Sequence, residues 1–367
     1  MVDSARNEYL PDLVSAPGET LLETLEALSM TQAELAQRMG RPKKTISEII
    51  HGKAAITPET ALQLERVLGV SASFWNSRER HYREAIARHE EEERLKEDLQ
   101  WLNRFPVKKM IELGWITKHS EKVSQLRALL EFFGVASPQQ WQSLWLERRG
   151  VAYRKTQAFE SAPEALAAWL RRGEILAQEI RTAAYQRDAF KKSLAKARSL
   201  TLEEPEFFRP ALVELCAACG VAVVFVPELP KSRASGATRW LSPSKALIQL
   251  SFRYRTDDHL WFTFFHEAGH ILLHNKRDAF IEGVDDQDGQ EEEANRFSAD
   301  FLIPQRELEF FVTTERRRGG GSPFTKESIR RFSKDLGIAP GIVVGRLQHE
   351  GLLPRSHCND LKRRLEW

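Results

Sequence analysis

Between Trp261 and His274 the chain reads WFTFFHEAGHILLH. Three imidazoles and one carboxylate, from His266, Glu267, His270 and His274, stand in a run that is otherwise apolar or small. His266 and His270 are four residues apart, so on a helix they share a face and lie about 6 Å apart along the axis. Two imidazoles placed so can converge on one metal ion, and Zn2+ is the ion that such a donor set suits. Glu267 flanks the pair, where a carboxylate can act on a water at the metal. Ala268 and Gly269 leave room beside the ligands. His274 is on the same face but about 12 Å along the axis from His266. With bonds of about 2 Å one ion cannot take both, so His274 is expected to be a structural or pocket-rim histidine.

A catalytic zinc needs a third protein ligand and an open position. The next acidic segment is EEEANRFSADFLIP, residues 291–304. Its apolar face runs through Ala294, Phe297 and Phe301, and Glu292 points opposite that face. Glu291 and Glu293 flank it, and both stay open as ligands. Asn295 lies one turn beyond Glu291 on its side and could bond the second nitrogen of a zinc-bound histidine. That favours Glu291, with Glu293 as the fallback. The competing account is a solvated helix start favoured by the macrodipole, which suits Glu292.

The elements that must hold these groups begin near residue 205. FFRPALVELCAACG reads as a helix stopped by Gly220, VAVVFV (221–226) as a buried strand and KALIQLSF (245–252) as a second strand. The part IQLSF is expected at the edge of the cleft, where an extended peptide could add as a strand. ERRRGGGSPF (315–324) reads as a flexible loop, and 328–353 as helical again. Cys216 and Cys219 have the spacing of a redox or metal pair, but in an apolar helix without a second pair they read as core.

The N-terminal part has a different texture. Thr31 to Glu34 has the form of a capping box, in which Thr31 bonds the third helical N–H and Glu34 reaches back. The helix QAELAQRM ends at Gly40, and KKTISEIIHG follows with Ile46, Ile49 and Ile50 turned inward. Thr57-Pro58 opens a further helix. Two short helices across a glycine turn are the outline of a helix-turn-helix. Its DNA-facing candidates are Gln32, Arg41, Lys43, Lys44, Thr45 and Ser47, with the lysines and Arg41 also meeting phosphates.

The chain has 367 residues, 42% hydrophobic and 29% charged, which suits more than one globular domain. Net charge is only +2, so a basic DNA-binding surface has to be local. Three cysteines exclude a disulfide framework. The start lacks the apolar core of an export signal, and LCAACGVAVVFV is too short to span a bilayer. A cytoplasmic protein with no membrane partner is expected. The tryptophans of 101–170 accompany leucine at helical spacing and read as helix core.

Two stretches resemble known families. Residues 17–75, with PGE, TQAELA, the IxGK turn and a terminal FW, resemble the Xre-type helix-turn-helix of HigA-like antitoxins and phage-type repressors. Arg41-Pro42-Lys43-Lys44 departs from the Val-Ser type of start more common there, so base preference does not carry over. Residues 205–353, through GATRWLSPSKALIQLSFRYRTDDHLWFTFFHEAGHILLH, EEEANRFSADFLIP and IAPGIVVGRLQHEGLL, resemble the ImmA/IrrE family of metallopeptidase domains. That resemblance implies a zincin fold whose members cleave or regulate Xre-type repressors. By position it implies His266 and His270 as metal ligands, Glu267 as general base and Glu291-x-x-Ala294-Asn295 as the downstream acidic motif.

The expected architecture is α+β and mostly helical. It comprises an irregular lead-in (1–16), an all-α helix-turn-helix bundle (17–85), a helical connector (86–204) and a zincin-like α+β domain (205–367). The expected function is a DNA-binding regulator, antitoxin- or repressor-like, carrying a zinc-dependent endopeptidase. Its expected partners are double-stranded DNA, a protein substrate such as an Xre-type repressor or a cognate toxin, and a second copy in a homodimer. The alternatives are a non-catalytic antitoxin or repressor whose zincin-like domain senses a metal or ligand, and an interaction module with a structural metal.

Overall fold

The computed structural model describes residues 15–147, 162–274, 280–281, 289–318 and 324–367. Most of the lead-in and the glycine run at 319–321 lie outside them. The chain divides between Asp98 and Leu99 into two compact units. No helix of the described residues is long and apolar enough to cross a membrane.

The first unit is all helical: α1 (Pro17–Ala27), α2 (Gln32–Met39), α3 (Lys43–Ile50), α4 (Pro58–Leu68) and α5 (Ala72–Glu97). Leu21, Leu25, Leu35, Ile46, Ile49, Leu64 and Trp75 pack into one core. Gly40, at φ +65°, makes the left-handed turn from α2 to α3 at no side-chain cost. Only half of the expected capping box forms. Thr31 Oγ1 accepts from the Glu34 N–H at 3.2 Å, but the Glu34 carboxylate turns to Arg38 at 2.5 Å, an i,i+4 partner on its own helix. Thr57 caps α4 by accepting from the Thr60 N–H. Buried Glu79 on α5 accepts from the Ile56 N–H at 3.1 Å and ties α5 to the start of α4.

The second unit is built on a sheet of order β1-β3-β2-β4, with β1 Val221–Phe225, β2 Gly236–Ser242, β3 Lys245–Leu250 and the two-residue β4 Phe280–Ile281. β1 and β3 are parallel, from Val221 against Ala246 to Phe225 against Leu250. β2 runs antiparallel to β3, and β4 antiparallel to β2. β3 is therefore interior and paired on both sides. This corrects the expectation that IQLSF lies at an edge open to an added strand. Its near-continuous apolar run is that of a strand covered on both faces, not of an edge.

One face of the sheet, through Val221, Val223, Ala246, Ile248 and Leu250, enters the large core with Trp261, Phe264 and Phe265. The other face is covered by the helix Pro163–Glu179. Trp169 Nε1 donates to Val226 O at 3.1 Å, and Gln249 Nε2 donates to Trp169 O at 2.7 Å. Lys245 Nζ reaches Ala177 O and Ile180 O at the C-terminal end of that helix, where a cation is favoured. Arg239 of β2 pairs with Glu174 on the same face. Trp101, Trp141, Trp145 and Trp169 are buried. Cys216 and Cys219 are buried free thiols, and burial pushes the Cys216 thiol well up, away from reactivity.

The central helix, Asp257–Leu273, is apolar nearly all round because neighbours cover it on almost every side. The sheet lies on one flank and the acidic helix Gly289–Leu302 on another, held by Ser298 Oγ donating to Phe262 O at 2.8 Å. Its N-terminus is clasped by the chain end, where Asp257 Oδ1 accepts from the N–H groups of Asp258 and Arg363, both at 3.0 Å. Asp258 pairs with Lys362 at 2.6 Å. The segment Gln305–Arg318 is a helix, so the arginines expected in a loop end a helix instead. Glu315 is buried there against Arg331 at 2.9 Å, which gives that stretch a tertiary anchor that its charge pattern does not display.

Candidate metal centre and DNA-facing helix

His266 and His270 leave the central helix on one face, and their Nε2 atoms are 2.9 Å apart. Glu291, from the first turn of the acidic helix, completes a triangle, with Oε2 3.2 Å from His266 Nε2 and Oε1 3.2 Å from His270 Nε2. Among the described residues this is the one cluster of three His, Cys, Asp or Glu donors close enough to share an ion. The Glu run divides by function of position. Glu291 turns in, Glu292 is exposed, and Glu293 lies 3.3 Å from His274 Nε2 with its side chain 62% exposed.

Both histidines have a partner on the ring nitrogen that faces away from the triangle. His266 Nδ1 is 2.9 Å from Asn295 Oδ1, and His270 Nδ1 is 2.9 Å from His274 Nδ1. An amide oxygen only accepts, so His266 carries its proton on Nδ1 and presents a lone pair at Nε2. Burial lowers the His270 pKa, which keeps that imidazole neutral and able to donate electrons. Burial works against ionisation of Glu291; when the rings of His266 and His270 carry protons on Nε2, their hydrogen bonds and charge outweigh burial and bring the carboxyl down to about 2. Two imidazole nitrogens and a carboxylate, turned toward one buried point, fit the donor set that a tetrahedral zinc with one open position takes.

Glu267, the next residue on the helix, is fully buried beside β2. Two close approaches set its position. A Cβ on Gly236 would stand 2.6 Å from Glu267 Oε1 and 2.5 Å from Thr263 Cγ2, so only glycine lets β2 lie against the helix here. One residue pair along, Thr238 Oγ1 donates to the Glu267 carbonyl at 3.2 Å. Neither Gly236 nor Thr238 stood out in the sequence as a site residue. The signal was the glycine opening a strand, which marks close backbone approach. On the opposite flank, a Cβ on Gly269 would come within 3.1 Å of Phe297 and 3.4 Å of the Ala294 backbone, so the room that Gly269 leaves admits the acidic helix.

In the first unit the DNA-facing candidates separate. Lys43 and Lys44 are exposed at the start of α3, with Thr45 and Ser47 half-buried beside them and Gln32 half-buried at the start of α2. Arg41 is not part of that exposed set. Its Nε donates to Gln63 Oε1 at 2.5 Å and its Nη2 lies 3.3 Å from Glu59, so its guanidinium is turned onto α4.

Comparison with known proteins follows this division. Residues 21–75 match the family model for a helix-turn-helix, and residues 223–318 match that of the IrrE N-terminal-like domain, a peptidase family. The first match holds every DNA-facing candidate, and the second holds the end of β1, all of β2 and β3, the histidine pair, Glu267 and Glu291. An uncharacterized HTH-type transcriptional regulator of Escherichia coli (strain K12), YddM, is 39% identical over 59 residues, which is 16% of this chain and 63% of that protein. Virulence-associated protein A of Dichelobacter nodosus is 42% identical over 52 residues, 14% of this chain and 51% of that protein. The chain thus spans about half to three-fifths of the length of these relatives. Among solved structures, an addiction module antidote protein of a HigA family from Coxiella burnetii is 28% identical over 23% of this chain and 91% of that one, at a TM-score of 0.21.

Proposed function

From a chain that carries an Xre-type helix-turn-helix at one end and an IrrE-like peptidase domain toward the other, we propose a DNA-binding transcriptional regulator whose second unit is a zinc-dependent endopeptidase. The observation that carries this reading is the buried triangle of His266, His270 and Glu291 with the Glu267 carboxylate beside it.

His266 and His270 would hold the ion through Nε2 and Glu291 through its carboxylate. Bound zinc supplies Lewis-acid polarisation of a peptide carbonyl and makes water a stronger acid at neutral pH. Asn295 fixes the His266 ring by accepting from Nδ1–H. Glu267, adjacent to a ligand but not needed to hold the ion, takes the proton of the attacking water on its carboxylate and passes it to the leaving amine nitrogen. The buried helix excludes bulk water behind the site.

Substrate and partner follow from the domain pairing. A DNA-binding unit places the peptidase at a promoter, so its substrate is a regulatory protein, an Xre-type repressor or a toxin, in the cytoplasm. A single short helix offers few base contacts, which favours a homodimer on a two-fold site. If the domain instead senses a metal or ligand without cleaving, zinc is still held but Glu267 is dispensable. Cleavage of candidate repressors by the zinc-loaded full chain, with Glu267→Gln as the control, separates these functions. Cleavage by the wild type alone supports the peptidase, and regulation without cleavage in both supports the sensor.

A further inference from the structure

We propose that His274 and Glu293 are positioning residues that fix the tautomer of His270 and so present its Nε2 as a metal donor. The inference rests on the zinc reading above and assigns a role to two residues outside the donor triangle.

Counting protons along the contacts fixes the tautomer. An ionised carboxylate only accepts hydrogen bonds, so across the 3.3 Å contact with Glu293 Oε2 the donor is His274 Nε2–H. A neutral imidazole carries one N–H, which leaves His274 Nδ1 as an acceptor. Across the 2.9 Å contact between the two Nδ1 atoms, His270 must then donate. Its only proton is spent there, and His270 Nε2 keeps its lone pair facing His266 Nε2 and Glu291. Asn295 does the same for His266 in a single step.

The backbone arranges this. His274 is the first residue beyond the central helix, extended at φ −111° and ψ 172°, while its N–H still closes on His270 O at 3.1 Å. The chain leaves the helix axis, yet the side chain folds back, only 3% exposed, with its ring centre 5.0 Å from that of His270. The acidic helix supplies both carboxylates, Glu291 toward the donor triangle and Glu293, two residues on, toward His274. Partners of this kind commonly contribute 10- to 100-fold in metal affinity.

A packing role and a tautomer role are separated by two substitutions in the full chain. His274→Phe keeps a ring but has no acceptor. His274→Asn loses the ring but keeps an oxygen acceptor at the δ position, as Asn295 does. Zinc affinity, measured by competition with a chromophoric chelator, should fall about 10- to 100-fold in His274→Phe and stay within about threefold of wild type in His274→Asn. Equal affinity in wild type and His274→Phe, or equal loss in both variants, overturns the proposal. Nitrogen NMR of 15N-histidine in the zinc-free wild-type chain needs no variant to fold, and it should find the His270 proton on Nδ1; a proton on Nε2 overturns the proposal. A wild-type chain that takes up no zinc overturns the peptidase reading and this inference together, whereas a zinc-binding wild type matched by His274→Phe overturns this inference alone.

Discussion

Asn295 Oδ1 stands 2.9 Å from His266 Nδ1, joining the acidic helix to the first histidine of the central helix through the ring edge that faces away from Glu291. One helix thus brings a carboxylate to the Nε2 side of the imidazole and an amide to the other side, four residues apart. Zinc content should follow that geometry. His266→Ala and His270→Ala should lose the ion, Glu291→Ala should lose much more than Glu293→Ala, and Asn295→Ala should retain it with affinity reduced about 10- to 100-fold. Elemental analysis with chelator titration checks each, and a Glu293→Ala chain poorer in zinc than Glu291→Ala would move the third ligand.

Gly236 is expected to be as sensitive as a ligand, for a steric reason. Its absent Cβ is the space in which Glu267 and Thr263 lie. Gly236→Ala should cost about 1–3 kcal/mol in denaturant unfolding, a typical overpacking penalty, and should also lower peptidase activity, since the side chain displaced is Glu267. Activity and stability both unchanged would show that β2 can retreat from the helix without consequence.

Asp257 gives the second unit a pH dependence of determinate sign. Burial, helped by the neighbouring Asp258 and opposed by bonds to Arg363, raises its carboxyl from 3.8 to about 7. The folded chain then holds a proton that the unfolded chain releases, so this group's contribution falls as pH rises from about 4 to about 7. Both of its backbone bonds are accepted by Oδ1, an atom that asparagine keeps. Asp257→Asn should therefore flatten the decline of stability across that window, measured as unfolding free energy against pH. An unchanged slope would place the titration elsewhere.

On DNA the exposed lysines and Arg41 should behave differently. Lys43→Ala with Lys44→Ala should weaken binding to an enriched operator and reduce the slope of log affinity against log salt by up to about 1.8, two phosphates' worth. Arg41 is engaged by Gln63 and Glu59, so Arg41→Ala should lower the melting point of the first unit and leave that slope nearly unchanged. A salt slope that drops as much for Arg41→Ala would return the guanidinium to the DNA surface.

Local spacing carried much of this into the sequence. The i,i+4 histidines, the inward isoleucines of α3 and the Thr57-Pro58 helix start are all read within a few residues, and the strands of β1 and β3 were legible as apolar runs. What could not be read is set by contacts distant in sequence. Whether a buried apolar strand is central or at an edge depends on which strands flank it, and β3 proved central because β2, whose mixed polarity hid it, pairs along its other side. Gly236 meets Glu267 across thirty-one positions, and the helix Pro163–Glu179 serves the sheet through Gln249 and Lys245, pairings that no local pattern announces. The capping box failed for the opposite reason, because a nearer cation, Arg38, outcompeted the backbone for Glu34.

The central claim is that Glu267 moves protons and does not merely pack. Glu267→Gln keeps the shape of the side chain and removes its base, and loss of a general base typically costs about a hundred- to ten-thousand-fold in rate. The decisive measurement is cleavage of the regulated protein by this variant at matched zinc content, together with its regulatory phenotype. The peptidase account predicts full zinc, an intact fold, normal DNA binding, no cleavage, and the phenotype of a chain without zinc. A Glu267→Gln chain that regulates as wild type would contradict it, leaving the metal site in place and the catalysis without support.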